Sequence, residues 1–279
     1  AYGGVLDVVR ASGASLKTAN KGGVSLTINS VEDYEGNYYD GTAAWDYASR
    51  NIGAVGNSIK VVVIDSGANQ QVTLAGAIQS AGVQAGSLIQ NSAGTKSAYI
   101  HKITGSTVVD VIWVSGGAWT TSDLVDDGSN PDVAITAVAD WYDSQMITPT
   151  LNWNQVAPQP GTSVHVAERG GSNDEMHIVV VDVDGGVTGT PNTVLEKFLY
   201  VSKASDGKSA EGSLVYYPEV ILNSSNYIYW GSHDNEDIWD VSGNALAASS
   251  NVGGNSTTAF DILGEKEYVL SGGVDDFTL

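Results

Sequence analysis

The 279-residue chain has no cysteine, which excludes disulfides, zinc–thiolate sites and a thiol nucleophile. It leaves the compartment open, because disulfide-free β proteins occur both inside and outside cells. Basic residues are scarce: 12 Lys and Arg stand against 32 Asp and Glu, a net charge of −20. That balance excludes a nucleic-acid partner held through phosphate contacts, and the acid excess reads as a solubility device. No apolar run approaches the roughly 18 residues of a membrane span, and no signal peptide or basic amphipathic segment is visible. Glycine is plentiful at 33 residues, but the glycines are scattered at turns. Neither G-x-x-x-x-G-K nor G-x-G-x-x-G lies between a strand and a helix, so no phosphate cradle is present.

Hydrophobic residues make up 42%, ample for a core, and at roughly 100–200 residues per domain the chain holds one large domain or two small ones. It begins at Ala1, and both ends, AYGGVLDVVRA and YVLSGGVDDFTL, read as structured segments cut short. The expectation is a fragment of a longer protein.

The patterning predicts an α+β chain dominated by strands, a sandwich-like antiparallel or mixed β domain with a few short helices and a small inserted β module. Strands are expected at Leu6–Arg10, Val24–Asn29, Trp45–Ser49 and Ser58–Asp65. Ile59–Ile64, IKVVVI, is apolar enough to be buried on both faces. VEDYEGNYYDG reads as an acidic aromatic loop. Val83–Gln90, Ser97–Ile103 and Thr107–Val114, separated by AGTK and TGS turns, outline the inserted module. Asn130-Pro131 is a helix start by cap chemistry. Val133, Ile135, Val138, Trp141, Tyr142 and Met146 then fit one buried helical face, ended by Pro149, Pro158 and Pro160. Met176–Val183 and Val194–Val201 form a hairpin about the Asp184-Gly185-Gly186 turn. A helix at Tyr217–Leu222 and a strand at Tyr227–Trp230 follow. Gly231–Thr258 is a long polar loop, and Ala259–Leu263 and Lys266–Leu270 are closing strands.

Candidate chemistry is sparse. Asp182-Val183-Asp184-Gly185 opens like a calcium loop, but the bidentate Glu that ends such a loop of about twelve residues is replaced by Thr193. A turn accounts for it better. His233-Asp234-Asn235-Glu236-Asp237 is a run of consecutive residues, which rarely converges on one ion. His101, His165, His177 and His233 have no G-x-S-x-G near them. Glu168 and Glu175 flank the RGGSND turn as a possible carboxylate pair, without supporting context. The YEGNYYDGTAAWDY segment, with Tyr39 and Trp45, is the best candidate for a sugar-stacking platform, against core packing as the ordinary role of such rings. No catalytic, cofactor-binding or metal-binding residue is assigned, no cofactor is expected, and the chain is read as not an enzyme.

Several phrases in order, YASRNIGAVGNSIKVVVID (Tyr47–Asp65), PQPGTS (Pro158–Ser163), RGGSNDEMH (Arg169–His177), VVVDVDGGVTGTPNTVLEKF, YVSKASDG and NSSNYIYW, resemble the tail sheath proteins of large contractile-tailed bacteriophages, especially those infecting cyanobacteria. The likeness is good over Leu6–Arg10, Tyr47–Asp65 and Pro158–Trp230, fair over Ala259–Gly273 and weak over Ser66–Ala157. LDVVRA and KEYVLSGG (Lys266–Gly273) look like the points where the chain leaves and regains the family's core domain. The resemblance implies core-domain edges at 1–12 and 264–279, an outer domain at 13–65 and 129–263, and the module at 66–128. It further implies a structural virion protein of the contractile tail, assembled in the host cytoplasm, whose partners are other sheath subunits and the tail tube. The family's assembly arms and helical core are missing from this chain, so it is expected to be monomeric alone. The rival expectation is a secreted or surface β-sandwich glycan-binding module.

Overall fold

The computed structural model describes residues 13–78, 83–126, 132–234, 238–239, 245–246 and 252–276. The chain enters a body through helix α1 (Val31–Asn37), strand β1 (Thr42–Ser49) and strand β2 (Ile59–Ile64). Six strands then follow: β3 (Gln70–Leu74), β4 (Leu88–Asn91), β5 (Ser97–Thr104), β6 (Val108–Ser115), β7 (Leu124–Asp126) and β8 (Val133–Asp140). The return path runs through α2 (Trp141–Ser144), the β9 (Met146–Thr148) and β10 (Leu151–Asn152) ribbon, and α3 (Val164–Ala167). The body is completed by β11 (Glu175–Asp182), β12 (Thr193–Ser202), α4 (Tyr217–Ser224), β13 (Ile228–Ser232), the short pair β14 (Ile238–Trp239) and β15 (Ala245–Leu246), and β16 (Glu265–Val269). The fold is strand-dominated. Among the described residues no helix is long and apolar enough to cross a membrane.

The body is built on a four-stranded antiparallel sheet in the order β12-β11-β2-β16. Alternation of β-branched residues explains why its two central strands are apolar throughout. Val61, Val63, Ile178 and Val180 face one cluster with Tyr217, Ile221, Ile228 and Trp230, while Val62, Ile64, Val179 and Val181 face another with Trp141, Tyr142, Ile147 and Trp153. The β1–β13 ribbon and α4 cover the first face.

Strands β3 to β8 close into a barrel in the order β3-β6-β5-β4-β7-β8. Closure removes sheet edges, so every strand finds two neighbours. Val72, Ile89, Ala98, Ile100, Val109, Val111 and Trp119 fill the interior. Gln70 closes one end: its amide donates to the Trp119 carbonyl at 2.9 Å, and its oxygen accepts the Trp119 N–H at 2.9 Å and the Trp113 indole N–H at 3.2 Å. Ile112 points outward and packs with Trp141 and Ile262, seating the barrel on the second face of the body sheet.

Five expectations are corrected. The helix expected over 133–146 is strand β8 up to Asp140, with only Trp141–Ser144 helical. Val133 and Ile135 are two residues apart, the spacing of one strand face and not of one helical face, and the barrel needs a partner for β3 and β7. The acidic aromatic loop contains α1, started by Ser30, whose hydroxyl accepts the Asp33 N–H at 3.1 Å. Val24–Asn29 and Ala259–Leu263 are extended without joining a named strand, and the expected strand at Val83–Gln90 is confined to Leu88–Asn91. The expected strand Leu6–Arg10, the Asn130-Pro131 helix start and residues 235–237, 240–244 and 247–251 of the expected 231–258 loop lie outside the described residues, and the described part of that loop includes the end of β13 and the β14–β15 pair.

Candidate functional site

Glu168, Glu175, His165, Arg169, Lys208 and Tyr200 line a pocket of about 570 Å³ between α3, the start of β11, the end of β12 and the 208–215 loop. Asp174 sets its geometry. Buried, its carboxylate accepts the Ser163 N–H (2.8 Å), the Ser163 hydroxyl (2.9 Å) and the Ser202 hydroxyl (2.6 Å), tying the N-terminus of α3 to β12. Ser163 in turn caps α3 by accepting the Val166 N–H at 3.3 Å. Glu168, Arg169 and His165 are carried on and just beyond α3, opposite Glu175 and Tyr200, with Lys208 on the loop.

Glu175 is held by Gly161, whose N–H donates to Oε2 at 3.1 Å. Burial raises its carboxyl above the ordinary range, against the lowering effect of that hydrogen bond, and Asp174 adds to the rise. Arg169 donates to the His165 carbonyl at 2.7 Å and lies 4.0 Å from Glu168 in solvent, a pair worth about 0–1 kcal/mol. The His165 Nε2 is buried without a hydrogen-bond partner. Tyr200 projects from a bulge in β12, where Val201 pairs with Met176 and Phe198 with Ile178. The pocket therefore offers donors, acceptors and one aromatic ring.

Among the carboxylates singled out from sequence, Glu168 and Glu175 are brought to this pocket; the others are not. Asp182 is fully buried and gathers the 183–192 loop, accepting the N–H groups of Gly185 (3.1 Å), Val187 (3.1 Å) and Thr188 (2.7 Å) and the Thr188 hydroxyl (2.7 Å). The structure makes it the organiser of a loop wider than the short turn expected. Asp184 accepts the Gly186 N–H at 3.1 Å. His233 is enclosed by Tyr216, Tyr217 and Trp230, and burial lowers its pKa to about 4. Asp234 accepts the Tyr268 hydroxyl at 2.5 Å, while residues 235–237 lie outside the described residues.

The histidines are dispersed. His177 Nδ1 accepts the Tyr200 N–H at 3.0 Å, so its proton sits on Nε2, which donates to the Pro158 carbonyl at 2.9 Å. Burial lowers its pKa, and the ring is a neutral strut. At the candidate sugar platform the ordinary packing role holds for Trp45, which is 4% exposed, while the Tyr39 hydroxyl donates to Glu219 at 2.5 Å beside Trp230.

Two features were missed by sequence reading. One is Tyr200, whose bulge has no local signature. The other is a fully buried ion pair, Lys203 Nζ to Asp65 at 2.7 Å. Lys203 also donates to the Asp261 carbonyl (2.7 Å), and Asp65 accepts the N–H groups of Gly67 (3.1 Å), Leu263 (2.7 Å) and Gly264 (2.8 Å). With both Asp65 oxygens accepting two hydrogen bonds each and the ammonium donating to two oxygens, the pair is a structural clamp. Compared with known proteins, the chain matches no family model, no curated sequence and no solved structure.

Proposed function

We propose that the chain is the outer part of a contractile-tail sheath subunit, a structural, non-catalytic body borne on a phage tail. The observation that carries this reading is the meeting of the body's two ends. Lys17 pairs with Val274 and Asn20 with Ser271, both antiparallel, and the Gly13 N–H donates to the Asp276 carbonyl at 3.1 Å. An inserted domain must receive and release its chain at one place, and the resemblance to the sheath family implies such an insertion between core segments. The stretches of good likeness, Tyr47–Asp65 and Pro158–Trp230, coincide with β2, β11, β12, α4 and β13. On this reading the body sheet and its covering ribbon form the sandwich-like outer domain, which takes in β16 from the 264–279 stretch expected as a core-domain edge, and the barrel is the inserted module, extended past the expected 66–128 by β8.

The partners are then neighbouring sheath subunits and, in the whole subunit, the tail tube. Contraction moves such bodies rigidly, which suits a sheet buried on both faces and a closed barrel. The isolated chain is monomeric. Immunogold labelling of contractile-tailed particles with antibodies raised against the chain tests the proposal. Regular label along the tail shaft is expected. Label confined to heads, fibres or host debris, or sedimentation of the isolated chain as a long polymer, overturns it.

A further inference from the structure

Among the described residues three non-glycine positions have positive φ, and two are asparagines, which tolerate it. The third is Tyr200, at +54°. A bulky residue held in that region stores strain, and such strain concentrates where a side chain must be aimed. Its ring is fixed besides: the His177 ring meets it edge-on at 4.5 Å and 86°, and its hydroxyl donates to the Pro158 carbonyl at 3.3 Å. Yet Tyr200 remains 39% exposed, at the pocket against α3. Val164, 74% exposed, extends the apolar rim of the same pocket.

The remaining walls carry both hydrogen-bonding senses. Glu168 and Glu175 accept; Arg169 and Lys208 donate. A simple anion is disfavoured by the two carboxylates and a simple cation by the guanidinium and ammonium. A purely apolar ligand leaves four charged groups to be desolvated without compensation. A sugar ring matches the set, since it has an apolar C–H face to lie on an aromatic ring and a rim of hydroxyls that both donate and accept. We propose that this pocket binds a neutral saccharide, one pyranose ring resting on Tyr200 with its hydroxyls between Glu175 and the Arg169 and Lys208 side. The inference stands on the pocket alone and is independent of the sheath reading.

Saturation-transfer NMR of the full chain with a panel of neutral and acidic mono- and disaccharides tests it. Magnetisation transfer to the C–H protons of at least one neutral sugar is expected. Tyr200→Gly, which places the residue best suited to positive φ, is expected to keep the fold and weaken that binding by at least about tenfold. Glu175→Gln is expected to weaken it with the melting temperature retained, and serves if Tyr200→Gly misfolds. Transfer to no sugar, binding of acidic sugars only, or affinity unchanged in both variants overturns the proposal.

Discussion

The four-stranded body sheet has edges at β12 and β16 and carries a fully buried lysine and aspartate at one end. The barrel closes on itself around an interior cluster of apolar residues, with an uncharged glutamine at its end. The difference follows from closure. A closed barrel satisfies its own backbone, and its interior needs only volume to be filled. An open sheet covered on both faces must also immobilise the irregular segments that run past its ends. Asp65 does this by binding the 261–264 segment and Lys203 together, three pieces of chain far apart in sequence. The body is therefore expected to fail through polar loss and the barrel through lost volume.

The sharpest way to break that contrast is Asp65→Ala. It strands a buried ammonium and frees three backbone N–H groups, and the expected loss is about 5 kcal/mol, read by urea unfolding. A loss under about 2 kcal/mol would mean water reaches the pair and the clamp is not dry. Next is Trp119→Ala, with about 3–5 kcal/mol expected from the cavity left in the barrel. Hydrogen exchange should then show amides of β3 to β8 losing protection while those of β2 and β11 keep it. Equal loss in both would make them one cooperative unit.

The junction between the two regions offers a pH test. Glu265 on β16 lies 3.8 Å from Lys102 on β5. Burial raises the Glu265 carboxyl from 4.5 to about 7, with Glu267 and Asp110 raising it and Lys102 and Lys60 lowering it. A raised acid binds its proton more tightly in the folded state. Its contribution is therefore fully present below pH 4.5 and is lost as pH rises through about 7. Glu265→Gln should flatten that fall by roughly 2–3 kcal/mol in melting curves across the interval; an unchanged slope assigns it elsewhere. The smallest effect is expected from Lys102→Met. Its side chain is 51% exposed, so denaturant midpoints at neutral pH should register less than about 1 kcal/mol. A larger change would mean that the two regions are joined by charge rather than by Ile112 and its apolar neighbours.

The body strands were legible because Ile59–Ile64 and Met176–Asp182 are β-branched runs that only a doubly covered strand accommodates. The barrel was half legible. Its turns around AGTK and TGS stood out, but Ile135, Val138 and Tyr142 match a helical face while Val133 and Ile135 match a strand, and only the demands of β3 and β7 decide. Helix α1 was hidden because its cap, Ser30 with Asp33, sits inside an acidic stretch that reads as solvated loop. The pocket was legible only as two glutamates beside a turn. Tyr200 and the Asp65–Lys203 clamp left no trace in local pattern, since the first depends on a bulge and the second joins positions 138 apart.

The pairing of Lys17 with Val274 has a mirror in the barrel, where Gln70 pairs with Asp140. The barrel is thus hung from the body by two adjacent strands, and the segments at Lys17 and Val274 lie side by side in the same way. Tension applied between Lys17 and Val274 would pass across that pairing, from one segment to the one beside it, without traversing what lies beyond. The barrel and the sheet that bears it are off that load path, and their own ladders stay slack.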